Sequence, residues 1–265
     1  MNKIFSNKVF ITLFICFSIV NIANAQFWFG PKFGGQMVTH KYADKDYEKT
    51  VDVSSDFNFH AGLAFEYTTE TNFAAHVDFL YQKVTNTIKN LPDTSDLFVS
   101  TNYHFFTAPI MLKRVFGNGP VTFYVNFGPR ISFWFKGDGK YYEDELQEFL
   151  ITEPVSFNVV FNTDEIDASA TPFSKRNVPR PTRLQYAFDI GGGVQLDLAS
   201  GQRLVLDFAY SFGHSNMGFN VDDGFIFYQS NLEFSNNMLR FSVAYMFGYD
   251  PTYKRKGASS SGLGK

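Results

Sequence analysis

The sequence predicts an all-β fold: an eight-stranded, antiparallel, up-and-down transmembrane β-barrel with long extracellular loops. Three observations lead there. Apolar and polar residues alternate with a period of two in eight separate stretches, so each stretch is a strand with one apolar and one polar face. Short and long connections alternate between those stretches, the pattern of a barrel with tight turns at one end and loops at the other. The polar face is sparse and charge-balanced, unlike a solvated surface rich in Lys and Glu. The 33 phenylalanines among 265 residues exceed what one buried core uses.

Residues 1–25 read as a cleaved secretory signal. Lys3 and Lys8 precede an apolar stretch over 9–22, and Ala23-Asn24-Ala25 gives a small-residue cleavage site before Gln26. A retained anchor is the alternative, and its apolar core is short for that role. The one cysteine, Cys16, lies in this stretch, so the mature chain is expected to hold neither disulfide nor reactive thiol. Removing Lys3 and Lys8, and no acid, takes the formal charge from −3 to −5, which argues against general nucleic-acid binding. After the leader no run of about eighteen apolar residues exists to form a membrane helix.

The barrel is expected over 26–249. The first strand, 27–37, sets Phe27, Phe29, Pro31, Phe33 and Met37 against Gly30, Lys32, Gly34 and Gln36. The second, 57–67, opposes Phe57, Phe59, Leu63, Phe65 and Tyr67 to Asn58, His60, Gly62 and Glu66. The third, 73–82, opposes Phe73, Val77, Phe79 and Tyr81 to His76, Asp78 and Gln82. The fourth, about 102–115, is the least regular: Phe106, Ala108, Ile110 and Leu112 share a face, but Phe105, Pro109 and Met111 occupy the other. After the turn signal Gly117-Asn118-Gly119-Pro120, the fifth, 121–135, alternates strictly from Val121 to Phe135, with Asn126 and Arg130 on the polar side. The sixth, 183–198, opposes Tyr186, Phe188 and Ile190 to Gln185, Asp189 and Asp197. The seventh, 203–212, opposes Leu206, Phe208 and Tyr210 to Arg203 and Asp207. The eighth, 239–247, opposes Phe241, Val243 and Tyr245 to Arg240 and Ser242. Long loops are expected at 39–56, 85–101, 136–182 and 215–237, and a flexible periplasmic tail at 250–265.

The same alternation describes a soluble barrel with its apolar face inward. Two arguments favour the reverse. The lumen of a small barrel holds only a single layer of side chains from each strand, and eight strands each presenting four or more large apolar residues would overfill it. The polar face carries Lys32, Lys113, Arg130, Arg203 and Arg240 with Glu66, Asp78, Asp189, Asp197 and Asp207, the balance a packed, self-neutralising lumen requires, because an unpaired buried charge is costly. The apolar face then meets lipid, with Phe27 to Phe29, Tyr67, Phe133 to Phe135 and Tyr245 to Tyr249 as interfacial girdles.

The stretch APIMLKRVFGNGPVTFYVNFGP, 108–129, resembles the Pro-containing strand, glycine turn and Gly-Pro strand of PorT-like outer-membrane barrels of Bacteroidetes. FDIGGGVQLDLASGQRLVLDFAYSFG, 188–213, is similar to the next hairpin of that family, and LRFSVAYMFG, 239–248, to its last strand. The resemblance implies an eight-stranded outer-membrane barrel without enzymatic activity, in a family named for a protein needed for type IX secretion. The long third loop and the hydrophilic tail depart from the pattern.

No catalytic, cofactor or metal motif is present. His60 and His76 fall on the lumen face. His40, His104 and His214 fall near the loop end, where a surface hydrolase would keep its site, with Asp222 and Asp223 near His214; their spacing matches no ligand motif, and structural use is the expectation. Gly191-Gly192-Gly193 lies in mid-strand with no helix after it, so it fits strand curvature or a covering aromatic better than a phosphate loop. The third loop is acidic (Asp138, Glu143, Asp144, Glu145, Glu148, Glu153, Asp164, Glu165, Asp167) and contains VSFNVVF, 155–161, a candidate added hairpin. It is either a binding loop or a solvated one. The tail carries Lys254-Arg255-Lys256. The expected partners are outer-membrane lipid and proteins met through 136–182 or the periplasmic side, with the barrel a monomer. A non-enzymatic interaction platform of the envelope, with a link to protein secretion, is the leading expectation; a small porin or ligand-binding barrel is the alternative, and a surface hydrolase stands behind both.

Overall fold

The structure, a computed structural model, describes residues 26–50, 52–54, 57–89, 98–142, 153–161, 174–178, 181–198, 201–218 and 231–249. The expected leader and tail, Asp222, Asp223 and the acidic residues of the third loop other than Asp138 and Glu153 lie outside them. In chain order the elements are β1 (Gln26–Tyr42), α1 (Lys45–Thr50), β2 (Asp52–Ser54), β3 (Phe57–Thr68), β4 (Phe73–Lys89), β5 (Phe98–Phe116), β6 (Val121–Tyr142), β7 (Val155–Val160), β8 (Lys175–Asn177), β9 (Leu184–Leu198), β10 (Gln202–Gly213) and β11 (Phe234–Tyr249).

Eight of the strands close a ring in the order β1, β3, β4, β5, β6, β9, β10, β11, each antiparallel to the next, and β11 pairs back onto β1 from Phe27↔Tyr249 to Tyr42↔Phe234. Over the span that all eight share, closure leaves these strands no free edge. The ring strands joined by short links turn on residues with positive φ, Asn72 at 61°, Gly117 at 103° and Gly201 at 72°, the backbone region that glycine and asparagine enter at least cost.

Thirty large apolar side chains are exposed among the described residues, and every one lies on a ring strand. A soluble monomer does not carry such a belt. Its physical partner is hydrocarbon: an apolar wall in lipid needs every backbone group bonded within the ring, and closed antiparallel pairing provides this. On β5 the outward residues are Phe106, Ile110 and Leu112, while Phe105 and Met111 are buried inside, which fixes the register of the least regular strand.

Above the belt the polarity inverts. On β4 the outward series runs Phe79, Tyr81, then Lys83, Thr85 and Thr87, and the inward series runs Asp78, Gln82, then Val84 and Ile88. On β5 Phe106 gives way outward to His104, Asn102 and Ser100, and Lys113 and Thr107 give way inward to Phe105, Tyr103 and Val99. Five of the ring strands, β1, β4, β5, β6 and β11, therefore continue beyond the belt around a largely apolar core. This corrects the expected loop boundaries: the ends of 39–56, 85–101, 136–182 and 215–237 are ring strand, reaching Tyr42, Lys89, Phe98, Tyr142 and Phe234.

On β6 the inversion is made by a bulge. Phe105 faces Trp134, but His104 faces Lys136, so Phe135 is an extra residue. Below it even-numbered residues point inward; above it Gly137, Gly139 and Tyr141 do. From Asp138 to Tyr141, β7 takes the place of β9 beside β6, and β8 pairs parallel to β7. The added hairpin expected over 155–161 is thus present as β7, which returns antiparallel to the top of β6 and extends the sheet there. Ring strands also differ in length: β6 has 22 residues, about 70 Å of chain, and β10 has 12, about 40 Å. At the rim, Asp44 caps α1 by accepting the backbone N–H groups of Asp46 and Tyr47.

Candidate functional site

The inner face carries the chemistry. Lys32 and Gln36 come from β1, Glu66 from β3, His76, Asp78 and Gln82 from β4, and Lys113 from β5. Tyr124 and Arg130 come from β6, Asp189 from β9, Arg203 and Asp207 from β10, and Arg240 from β11. The period of two alone aims them at one axis.

Nearest the short turns, the Glu66 carboxylate accepts from Lys113 Nζ at 2.6 Å, Arg203 Nη1 at 3.0 Å and Thr68 Oγ1 at 3.1 Å, with His76 Nδ1 at 3.3 Å. Arg203 also bonds Asp197 Oδ1 at 2.5 Å and lies 3.9 Å over the Trp28 ring. Lys113 lies 3.8 Å over Tyr124. One step up, Lys32 Nζ sits between Asp78 at 2.7 Å and Asp207 at 2.9 Å, and His76 Nε2 is 2.7 Å from Asp78. Tyr124 donates to Asp207 Oδ1 at 2.8 Å, and it reaches that site only because Gly193 is beside it: a Cβ there would stand 2.6 Å from the Tyr124 hydroxyl. The glycine run thus makes room for a covering aromatic.

Higher again, Asp189 pairs with Arg240 and stands 3.8 Å from Arg130 Nε, while Arg130 Nη1 donates to Ser211 at 3.1 Å. A neutral chain follows: Thr107 with Gln82 at 3.0 Å and with Ser132 at 3.0 Å, then Gln82 to Gln36 at 2.9 Å. All ten charged residues singled out in the sequence face the lumen, and each stands within 4 Å of an opposite charge. Asp197 differs in being 43% exposed, at the mouth.

A cavity of about 20 Å³ remains beside Arg130, Gln82, Ser132 and Gln185, room for about one water. At the short-turn end an open vestibule of about 420 Å³ is lined by Thr68, Glu70, Asn72, Asn118, Gln195, Asp197 and Arg203. At the other end the bore meets a largely apolar cap built from Val84, Ile88, Tyr103, Phe105, Trp134, Tyr141, Phe157, Val159, Phe234 and their neighbours, with Arg176 buried in it and donating Nη1 to Thr101 Oγ1 at 3.0 Å. Phe157 of β7 enters because Gly139 has no side chain; a Cβ there would lie 2.5 Å from the ring.

Both tryptophans were expected in the girdles, and both are inside: Trp28 under Arg203 and Trp134 in the cap, donating Nε1–H to the Lys136 carbonyl at 2.8 Å. Their even-numbered positions, shared with Lys32 and Arg130, were the available signal. The outer aromatic edge on β3 to β6 is Phe59, Tyr81 and Phe106 together with Phe135, which the expected girdle included, and Phe106 and Phe135 stack at 4.4 Å.

The histidines are held by structural bonds: His60 to Ser242 at 2.8 Å, His40 to Asn236 at 2.8 Å, and His76 within the charge network. His104 faces outward, with Tyr81 OH at 2.6 Å and Asp138 Oδ1 at 2.8 Å. Its hydroxyl neighbour is a phenol, a poor nucleophile for hydrolysis. Asp138 lies beyond the lipid-facing belt. Partial burial raises its pKa, but hydrogen bonds from Asn102 and His104 prevail and hold it below the usual carboxylate value. His214 is exposed. Among the described residues no group of His, Cys, Asp or Glu is arranged to hold a metal ion.

The chain is weakly similar to several solved structures, with TM-scores below 0.5. The attachment invasion locus protein Ail of Yersinia pestis, solved with the heparin analogue sucrose octasulfate, is 12% identical over 83% of this chain and 99% of its own, with a TM-score of 0.35. Neisserial surface protein A is 10% identical over 83% and 96%, at 0.36, and OprG of Pseudomonas aeruginosa 8% identical over 85% and 95%, at 0.41. No curated protein matches the chain. The family model "Outer membrane protein beta-barrel domain" matches residues 20–218, most of the chain, and with the closed ring and lipid-facing belt it makes this protein a member of that outer-membrane barrel family.

Proposed function

We propose that the protein is a closed, monomeric, non-enzymatic outer-membrane barrel whose tall outer end serves as an interaction platform of the cell envelope. The observation that carries this reading is the filled bore: three tiers of ion pairs, a neutral hydrogen-bonded chain and an apolar cap lie in series along one axis. A barrel that passes solutes needs a continuous wet path, and the cap interrupts it. What is left for function is the outer surface, where long connections on a rigid scaffold carry binding.

The test is electrical. Full-length protein in planar bilayers is expected to stay silent; sustained, reproducible conductance steps would replace the platform with a small porin. That second reading draws on one feature, the polar vestibule of about 420 Å³ at the short-turn end. The finer assignment, a PorT-like component linked to type IX secretion, rests on the sequence resemblance, and the loop residues 136–182 and the periplasmic side are its proposed contact regions. Affinity isolation from mild-detergent membranes is expected to bring secretion components with the chain; a barrel that always isolates alone would end that assignment.

A further inference from the structure

The polarity inversion leaves a row of basic groups on the outward face, directly above the aromatic edge. Lys83 of β4 is paired in register with His104 of β5, and His104 with Lys136 of β6. All three side chains point outward, one step above Tyr81, Phe106 and Phe135. Arg183 flanks the row on the far side of β6, its guanidinium 4.6 Å over the Phe133 ring. With strands about 4.8 Å apart, the two lysine positions lie about 10 Å apart across β5.

The centre of the row is fixed. Tyr81 donates to His104 Nδ1, so Nε2–H is directed at Asp138, whose second oxygen accepts from Asn102 at 3.2 Å. His104 is thereby a spacer with both nitrogens engaged. The two lysines keep donors to spare: Lys136 is 58% exposed and 3.6 Å from Asp138, and Lys83 has no ion-pair partner among the described residues. Below the row, Phe79, Phe106 and Phe133 are exposed to hydrocarbon.

We propose that this row, Lys83 and Lys136 across His104, is a docking site for the phosphate-bearing headgroup of an outer-leaflet lipid, whose acyl chains lie on Phe79, Phe106 and Phe133. A lysine at a membrane surface attracts anionic headgroups, and aromatic residues mark the depth at which those headgroups sit. A soluble anion would meet the same lysines but gain nothing from the apolar surface beneath, so the lipid is the favoured source of the phosphate.

Full-length protein reconstituted in phosphatidylcholine vesicles with a minor fraction of phosphatidic acid tests this, by counting lipids retained after mild-detergent extraction with native mass spectrometry. Phosphatidic acid is expected to be retained over phosphatidylcholine. The variant Lys83→Ala/Lys136→Ala is expected to lose that preference by about fivefold per lysine, whereas the control pair Lys41→Ala/Lys175→Ala, exposed at the outer end, retains it. An unchanged preference in the double variant, or an equal loss in the control pair, overturns the proposal. So does displacement of the lipid by inorganic phosphate, which would make the row a soluble-anion site. Should the double variant fail the heat-modifiable mobility assay for folding, Lys83→Gln and Lys136→Gln, which keep their stems, carry the same readout singly.

Discussion

Glu66 shows how much one lumen residue holds. It is fully buried and neutralises Lys113 and Arg203 at once, so removing it strands the Lys113 ammonium out of water and leaves Arg203 with Asp197 alone. Glu66→Ala is expected to destabilise the barrel by about 3–5 kcal/mol, read as a fall in urea midpoint in lipid vesicles. Adding Lys113→Met should recover part of that loss, because an apolar replacement removes the stranded charge. Asp197 makes a short bond to the same Arg203 but is partly solvated; Asp197→Ala is expected to cost about 1 kcal/mol or less. Equal costs at Glu66 and Asp197 would mean the lumen is wetter than its packing implies. The identity of these residues was legible from sequence because a period of two puts them on one face, opposite the phenylalanines, and their signs balance there. Their pairing was not, since partners such as Lys32 and Asp207 are far apart in the chain and meet only when the ring closes.

Among the elements, the strands in the membrane were readable and their upper halves were not. The pattern sought was apolar outward, and above Tyr81 and Phe106 that pattern ends. The period persists with opposite phase, in Val84-x-Asn86-x-Ile88 and Val99-x-Thr101-x-Tyr103, but a phase change resembles a loop unless both phases are tested. The bulge at Phe135 adds a shift that no periodicity scan follows. The cap built on these upper halves makes its own prediction. Phe157→Ala removes a ring seated on Gly139 and should cost about 3–5 kcal/mol locally. The expected readout is faster protease cleavage within 143–182 while the membrane-embedded part keeps its heat-modifiable mobility. Loss of that mobility would show that the cap and the wall fold as one unit.

At the scale of the molecule, two solvents divide one barrel. The lower wall is organised for lipid, and the strand ends that rise above it turn their polar side chains to water. Phe208, paired with Phe241 and exposed on the belt, tests the lower half: Phe208→Arg is expected to cost about 2–4 kcal/mol if it faces the bilayer middle, measured by urea unfolding in vesicles, and nothing comparable if it faces water.

The unequal strands also give the molecule a bearing in the plane of the membrane. Regular strand rises far along β4, β5 and β6 and stops early along β9 and β10. A neighbour diffusing in the same leaflet therefore meets, among the described residues, regular strand of different heights around the ring. Rotation about the membrane normal is not neutral for such a body, and any assembly that includes it has a preferred compass orientation as well as a preferred side.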